Sequence, residues 1–172
     1  QGATQGRGGL GVIYVWAAGN GGKALDNANY DSYNSSIYTV SIGALNDLGN
    51  RADYSERGAC LVVSAPAGLD DARPQGTVTA DLQGEFGYNR SDVADDLADL
   101  EYTANFNGTS AAAPLASGDV ALVLQANPQL GWRDVQEILI RSARRIHLEN
   151  TEWITNGAGL KFNPNFGAGL ID

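Results

Sequence analysis

The chain has 172 residues, of which 43% are hydrophobic and 18% are charged, a composition typical of a soluble globular domain. Its formal net charge of −9 at pH 7 argues against a nucleic-acid partner, because phosphate binding needs clustered Lys and Arg side chains. Cationic partners or metal ions suit this charge better. The apolar runs are too short for a membrane span, and from the sequence we expect neither a membrane span nor a signal peptide within these residues. We expect one domain with one core.

Three apolar segments predict strands in the first 68 residues. Residues 12–18 (VIYVWAA) form a continuous apolar run of the kind found in strands that are buried on both faces. Residues 37–45 (IYTVSIGAL) and 59–68 (ACLVVSAPAG) are bounded by turn-forming residues and predict two further strands. The single Cys60 cannot form a disulfide within the chain.

The rest of the chain consists of a polar segment and two predicted helices. Residues 69–102 are rich in glycine and acidic residues and show no sustained period, so we interpret them as a solvated excursion from the core, with one short helix over 92–101. A longer helix is predicted from Ser110 to about Asn127, ahead of Pro128, and an amphipathic helix over 132–143. Strands interleaved with helices indicate an α/β fold with a mainly parallel sheet.

The stretch NFNGTSAAAP places Ser110 at the start of the longer helix. The residues after it leave no hydrated face, so we expect this helix to run through the middle of the domain. Its first turn should form a buried anion site, because unpaired N–H groups and the helix dipole favour negative charge there. Pro114 is tolerated only close to such a start. A serine in this place is most often a helix cap, and that interpretation stays open.

A second polar residue, Asn20, follows the apolar run 12–18. Its side-chain amide is able to donate to an anion that forms beside Ser110, which would give a nucleophile and an oxyanion donor. Taken alone, Asn20 is more often a turn residue ahead of Gly21 and Gly22. The two residues together favour a catalytic function.

The GTSAAAP motif resembles the catalytic serine motif of subtilisin-like serine peptidases. Further segments resemble, in order, the kexin and furin branch of that family, the proprotein convertases. They are QGRGGLGVIYVWAAGNGG, DNANYDSYNSSIYTVSIGAL, YSE, GTSAAAPLASG, LQANPQLGWRDVQEIL and WITNGAG. The series covers nearly the whole chain except 69–102. It implies a subtilisin-like three-layer α/β fold with a mainly parallel sheet, of which this chain supplies the C-terminal half.

The resemblance also implies roles for individual residues. Ser110 would be the nucleophile and Asn20 the oxyanion-hole side chain, while the substrate-binding residues would be Ala17, Ala18, Gly19, Asp31 and Thr109. In this family the catalytic Asp and His precede the serine, and neither has a counterpart here. The only histidine, His147, follows the serine, where convertases carry a non-catalytic histidine, so we expect it to be structural or on the surface.

A parallel sheet without its first strands would expose edges and apolar faces. We therefore expect a companion, the N-terminal chain of the same precursor, which carries the catalytic Asp and His. A nick in the glycine-rich segment before Gln1 would leave the two chains associated.

The resemblance implies that Asp26 and Glu56 bind calcium together with an upstream acid, and that Asp31 lies at the base of the specificity pocket. From the residues alone, these are loop carboxylates that would need cations if they were buried, and three unrelated loop acids remain the alternative. The paired cysteines of the family's loop are replaced by Ala28 and Tyr30, which leaves Cys60 without its expected partner. The rigidity of this loop must then come from packing or from the metal.

These inferences predict a calcium-dependent serine endopeptidase, kexin-like, that cuts polypeptides after Arg or Lys and is secreted or periplasmic. Two alternatives remain. One is a non-catalytic subtilisin-like binding domain, and the other is a hydrolase that uses Ser110 with His147.

Overall fold

The centre of the molecule is a three-stranded parallel sheet. The computed structural model describes residues 1–68 and 76–172. Its sheet has the order β1 (Tyr14–Ala17), β2 (Thr39–Leu45) and β3 (Leu61–Pro66). These strands lie within the three segments that the apolar runs predict. The predicted α/β architecture with a mainly parallel sheet is confirmed.

Two helices, α2 (Thr109–Ala126) and α3 (Trp132–Ser142), pack against one face of this sheet, and a short helix, α1 (Gly2–Gln5), precedes β1. Helix α2 contacts all three strands, and α3 contacts β3. Val40, Ile42 and Ala44 alternate along β2 and share one core cluster with side chains of both helices. The helices predicted from Ser110 and over 132–143 are therefore confirmed.

The small side chains of α2 set how closely it packs. Ala112 and Ala116 are fully buried, and each adds only a methyl group between the helix backbone and the sheet. Pro114 lies inside the helix, one turn after its start. Because proline has no main-chain N–H, the main-chain oxygen of Ser110 lacks the donor that a helix normally provides four residues later. The alanines bring the first turn of α2 close to the ends of the strands.

The C-terminal residues extend the sheet beside β3. The Ser64 N–H donates to Gly169 O over 2.8 Å, and the Ile171 N–H donates to Ser64 O over 2.9 Å. Gly167 has φ 65°, and its ideal Cβ position lies 2.5 Å from Val62 O, so any side chain would collide with β3 there. These contacts close the second edge of β3 and leave its interior residues buried.

The excursion differs from the sequence prediction in its described part, which begins at residue 76, while residues 69–75 lie outside the described ranges. An antiparallel pair that the sequence does not predict joins β4 (Thr77–Ala80) to β5 (Tyr102–Phe106), which begins where the excursion ends. The predicted helix over 92–101 is wrong, since that stretch forms turns. Asp96 Oδ1 accepts the N–H groups of Leu97 and Ala104 over 2.8 and 2.7 Å. Aspartates that bind nearby main-chain N–H groups compete with helical hydrogen bonds, and they stabilise turns instead.

Two burial predictions are also wrong. Tyr14 and Trp16 in β1 are each 40% exposed, so β1 is not buried on both faces. In α2, Leu115 is 37% and Leu122 64% exposed, so this helix does have a hydrated face. The reason is the same in both cases, because within the described ranges the core cluster packs against one side of each element, through Val15 in β1 and through Ala112 and Ala116 in α2.

The last part of the chain is a short antiparallel pair, β6 (Ile154–Thr155) and β7 (Lys161–Phe162), tied to the sheet by polar contacts. Arg57 forms an ion pair with Glu152, whose Oε2 also accepts from Asn165 Nδ2 over 2.7 Å. These two donors hold the pKa of Glu152 below the ordinary value for glutamate.

Among residues 1–68 and 76–172, no helix combines the length and the apolar character of a membrane span.

Candidate active site

The start of α2 is capped by a side chain from another part of the chain. The N-cap residue is Gly108, with φ 81° and ψ 170°, and it has no side chain to cap with. Asn20 Oδ1 takes that role, since it accepts both the N–H and the Oγ1–H of Thr109 over 2.9 Å each. An acceptor at this position satisfies a helix N–H that would otherwise lack a partner.

A third hydrogen bond closes this arrangement. Thr109 is only 1% exposed, and its Oγ1 accepts the Gly19 N–H over 3.2 Å. The left-handed conformation in this turn belongs to Gly19, with φ 115°, and Asn20 does not adopt it. The alternative in which Asn20 serves only as a turn residue ahead of Gly21 and Gly22 is therefore not favoured, since its side chain caps α2. The carboxyl end of β1 and the amino end of α2 are fixed against each other through Asn20 and Thr109.

The orientation of the Asn20 amide follows from these contacts. Its Oδ1 is held by two donors, so its Nδ2 faces the opposite way, and Nδ2 donates no hydrogen bond to a residue within the described ranges. The side chain is exposed, which leaves this donor open to an added group.

Ser110 is the second residue of α2 and directly follows Thr109, the residue that Asn20 caps. Its side chain is exposed, and its hydroxyl has no hydrogen-bond partner in the part of the chain that the structure describes. The expectation of a buried anion site needs correction, because the first turn is open on the Ser110 side. Ser110 is also not a helix cap, since Asn20 performs that function. A free hydroxyl next to a free amide donor at a helix N terminus is suited to attack a carbonyl and bind the resulting anion.

A cavity of about 320 Å³ lies next to the carboxyl end of β1. The predicted substrate-binding residues Ala17, Ala18 and Gly19 line one side of it. All three predicted acids line it as well, namely Asp26, Asp31 and Glu56, together with Trp16, Asn27, Tyr30 and Asn34. The fold thus gathers the loop carboxylates at one negatively charged cavity beside Asn20.

Asp31 is fixed by its own turn. Its Oδ1 accepts the N–H groups of Tyr33 and Asn34 over 2.8 and 2.9 Å. An aspartate that bonds to the main chain two and three residues ahead holds a defined orientation. The exposed carboxylate therefore presents a directed negative charge to the cavity.

Asp26 and Glu56 converge on Gly21. The ideal Cβ position of Gly21 lies 3.1 Å from both Asp26 Oδ2 and Glu56 Oε1. Glu56 is only 9% exposed, and its Oε1 accepts the Gly21 N–H over 3.0 Å. A side chain at residue 21 would fill the space between the two carboxylates, so glycine keeps that space open.

The two carboxylates fit part of a site for a hard cation. Calcium takes six to eight oxygen ligands, mostly from carboxylates and carbonyls. In the described ranges, no group of three His, Cys, Asp or Glu side chains is placed to hold a metal ion. Asp26 and Glu56 would supply only some of the ligands, and the others would come from main-chain oxygens, water or another segment.

Hydrogen bonds stabilise the acidic loop, residues 21–31, in which Ala28 and Tyr30 stand where the family has cysteines. Asn29 Oδ1 accepts the Cys60 N–H over 3.0 Å, and the Ala28 N–H donates to Arg57 O over 3.1 Å. The loop thus has direct hydrogen bonds to the 56–60 segment, a source of rigidity that the sequence analysis missed. Burial raises the pKa of the Cys60 thiol, which keeps it protonated at neutral pH and a poor nucleophile.

His147 belongs to a different part of the molecule. Its ring stacks on Phe166 with 5.7 Å between centroids, and its Nδ1 lies 3.1 Å from Glu149 Oε1. Its main-chain oxygen accepts from Trp153 Nε1 over 3.1 Å. These contacts give His147 a structural role near the C terminus, and in the described part of the chain it makes no contact with Ser110.

Comparison with protein families identifies the chain. The Peptidase S8, or subtilase, family matches residues 1–169, and the chain belongs to this family. It is 40% identical over all 172 residues to human furin and 41% identical to furin-1 of Xenopus laevis. Human proprotein convertase subtilisin/kexin type 4 is also 40% identical over the same length. In each case the chain covers 20% of the relative, so it spans about a fifth of their length.

Solved structures show the same fold. The serine protease of Aeromonas sobria, in a complex with its chaperone ORF2, superposes with a TM-score of 0.88 and 31% identity, over 95% of this chain and 35% of that one. A protease from Pseudoalteromonas arctica shares the fold alone, with a TM-score of 0.65 and 23% identity over 97% and 42% of the two chains. The predicted subtilisin-like fold is confirmed.

The Gly108→Ala substitution should destabilise the protein by about 1–3 kcal/mol, because alanine is strained at φ 81°. Its Cβ would also lie 3.2 Å from Asn20 Nδ2 and press on the cap. Urea unfolding of the protein that contains this chain measures the effect.

The matched control is Gly118→Ala, in the middle of α2, where an added Cβ meets nothing within 4 Å. That change should stabilise the helix by up to about 1 kcal/mol. Equal unfolding midpoints for the two variants would contradict the proposed constraint at Gly108.

Proposed function

We propose that this chain carries the nucleophile and the oxyanion donor of a serine endopeptidase. The observation that supports it most strongly is the capping of α2 by Asn20 Oδ1, because it turns Nδ2 outward beside the free hydroxyl of Ser110. Membership of the subtilase family is the second support. A merely structural serine would not require an open amide donor next to it.

In the proposed reaction, Ser110 Oγ attacks the carbonyl carbon of the scissile peptide bond as a general base takes its proton. The carbonyl oxygen becomes an anion, which Asn20 Nδ2 and the Ser110 N–H bind as hydrogen-bond donors. The same base, now an acid, protonates the leaving amine, and water then releases the acyl group from Ser110. The helix dipole of α2 adds positive potential at the anion.

The base and the residue that orients it would come from the companion segment, the N-terminal chain of the same precursor. Exposed apolar side chains support this proposal. Trp16 on β1 and Leu122 on α2 present apolar surface, and a groove of about 420 Å³ between these two elements is lined by Trp16, Val120 and Leu124. A segment packed into this groove would cover apolar surface of β1 and α2. The order Asp, His, Ser in this family puts the base on a segment that precedes Ser110 in the chain.

Asp31 is proposed to select Arg or Lys immediately before the cleaved bond. Its carboxylate faces the cavity in a fixed orientation and would pair with a guanidinium or ammonium group. An uncharged side chain in that cavity would leave the carboxylate desolvated and unpaired. The resemblance to the convertases favours the same specificity.

Asp26 and Glu56 are proposed to hold a calcium ion beside this cavity. The ion would neutralise two clustered carboxylates and link the 21–31 and 56–60 segments. It would thereby stabilise the cavity walls. The proposed location is outside the cytoplasm, in a secreted or periplasmic compartment.

The two alternative functions from the sequence analysis lead to different expected results. A non-catalytic subtilisin-like binding domain would contain no activated serine and would not react with a fluorophosphonate. A hydrolase that uses Ser110 with His147 is not supported by the structure, because His147 contacts Glu149 and Phe166 instead.

Ser110→Ala should abolish peptidase activity, by about 10⁶-fold if the loss resembles that in subtilisin, another member of the family. The activity should be measured with the companion segment present, because the base lies there. Ser142→Ala is the matched control, since Ser142 is exposed at the end of α3 and lines neither the cavity nor the groove. Wild-type cleavage by the Ser110 variant, or loss of fluorophosphonate labelling in the Ser142 variant alone, would show that the nucleophile is misassigned.

Asp31→Asn should lower the ratio of kcat/KM for an arginyl peptide over a matched uncharged peptide by roughly tenfold or more, which is about 1.4 kcal/mol. The substitution keeps the size of the side chain and removes its charge. Asp92→Asn, at a 74% exposed side chain outside the cavity, is the control. An unchanged ratio of kcat/KM in the Asp31 variant would contradict the proposal that Asp31 selects basic residues.

Removing calcium with a chelator should lower the Tm, because an ion that binds only the folded state stabilises it by mass action. Added calcium should restore the Tm of the wild type and of Asp92→Asn, whereas Asp26→Asn should have lost the response. A Tm that does not change with calcium would exclude Asp26 and Glu56 as ligands.

A further inference from the structure

Asn34 is a buried amide at the wall of the cavity, and it is not among the site residues that the sequence predicts. Its exposed fraction is 3%, and it lies three residues after Asp31. A buried polar side chain needs hydrogen-bond partners, so its contacts show which parts of the fold it connects.

The amide group of Asn34 bonds at both ends. Its Nδ2 donates to Ala17 O over 3.3 Å and to Ala18 O over 3.4 Å. Its Oδ1 accepts from Ser41 Oγ over 2.7 Å. If the amide were reversed, its oxygen would face two carbonyl oxygens, so the hydrogen-bond pattern fixes its orientation.

The main chain of Asn34 adds a fourth connection, because its N–H donates to Asp31 Oδ1 over 2.9 Å. One residue therefore joins the end of β1, the buried Ser41 of β2 and the turn that orients Asp31. Ala17 and Ala18 form one side of the cavity and Asp31 another, so Asn34 sets the distance between the two sides.

We propose that Asn34 is a positioning residue that sets the selectivity of this cavity for the side chain before the cleaved bond. This inference rests on the proposed peptidase function. Asn34 holds the Ala17 and Ala18 carbonyls and the Asp31 carboxylate at a fixed spacing, so that the N–H groups of one cationic side chain reach both. Without this link the Asp31 turn is free to shift away from β1, and a site that loosens by a small distance loses a large part of its selectivity.

The test uses the active protein with a set of peptides that differ only in the residue before the cleaved bond, which is arginine, citrulline or leucine. Asn34→Ala should lower kcat/KM for the arginyl peptide about tenfold relative to the other two, mainly through KM. Asn34→Asp should change the ratio at least as much, because it keeps the acceptor for Ser41 and puts a carboxylate oxygen against the two carbonyls.

Asn89→Ala is the matched control. Asn89 is 2% exposed, and its Nδ2 also donates to main-chain carbonyls, those of Leu97, Asp99 and Tyr102, but it does not line the cavity. Its substitution should lower the Tm and leave the peptide ratios unchanged. The proposal is overturned if Asn34→Ala lowers kcat/KM for all three peptides equally, or if Asn89→Ala shifts the ratios as much.

A second variant keeps the Asn34 side chain. Ser41→Ala removes only the hydroxyl that orients the amide, and it should shift the ratios in the same direction by a smaller factor. In the double variant with Asn34→Ala, the effect of Ser41→Ala should disappear, because the two residues act as one unit. Full additivity of the two substitutions would contradict the proposed unit.

Failure of this inference can be told apart from failure of the proposed function. If the wild type shows no preference for arginine but Asn34→Ala still changes the ratios, the specificity for basic residues fails and the positioning role stands. Amide hydrogen exchange gives a readout that does not need activity, since Asn34→Ala should speed exchange in residues 17–19 and 31–36 and Asn89→Ala should not. Unchanged exchange in those segments overturns the inference.

Discussion

The hydrogen bonds between Thr109 and Asn20 are the constraint on which the arrangement of the site depends. They satisfy the first free N–H of α2 with a side chain from the end of β1, so the helix cannot shift without breaking its own cap. The same contacts leave the Asn20 amide donor unused. A stabilising interaction of the fold therefore also aims a donor into the space beside Ser110.

The negatively charged cavity is positioned by the same strand end. β1 is followed by Ala18, Gly19 and Asn20 and then by the acidic loop, so the proposed oxyanion donor and the cavity share one stretch of chain. Gly21 leaves room for Asp26 and Glu56 to converge, while Asn29 ties the loop to the segment that carries Glu56. The proposed oxyanion, specificity and cation sites thus all lie at the carboxyl end of one strand, where parallel α/β sheets typically bind their ligands.

The sequence predicts the strands and the two long helices, because apolar runs are local signals. The GTS motif is local as well, and from it the sequence singles out Ser110 and, with the end of the first strand, Asn20, whose catalytic roles stay a proposal. It does not predict the burial of β1 or α2, since a long apolar run looks the same whether or not a partner covers it. The sequence of residues 92–101 predicts a short helix. In the structure, Asp96 instead accepts hydrogen bonds from main-chain N–H groups and stabilises turns. Asn34 carries no motif, and its role depends on contacts with residues 7 to 17 positions earlier or later in the chain.

The most direct test of the proposed role of Asn20 is the steady-state kinetics of Asn20→Asp in the active protein. This change keeps an Oδ1 acceptor for Thr109, and so the cap of α2, but removes the amide donor. We expect a nearly unchanged Tm, a similar KM and a kcat that falls by about 10²–10³ or more, the loss found on removing one oxyanion donor in subtilisin. A kcat equal to that of the wild type, in a variant with an unchanged Tm, would show that the Asn20 amide has no catalytic role.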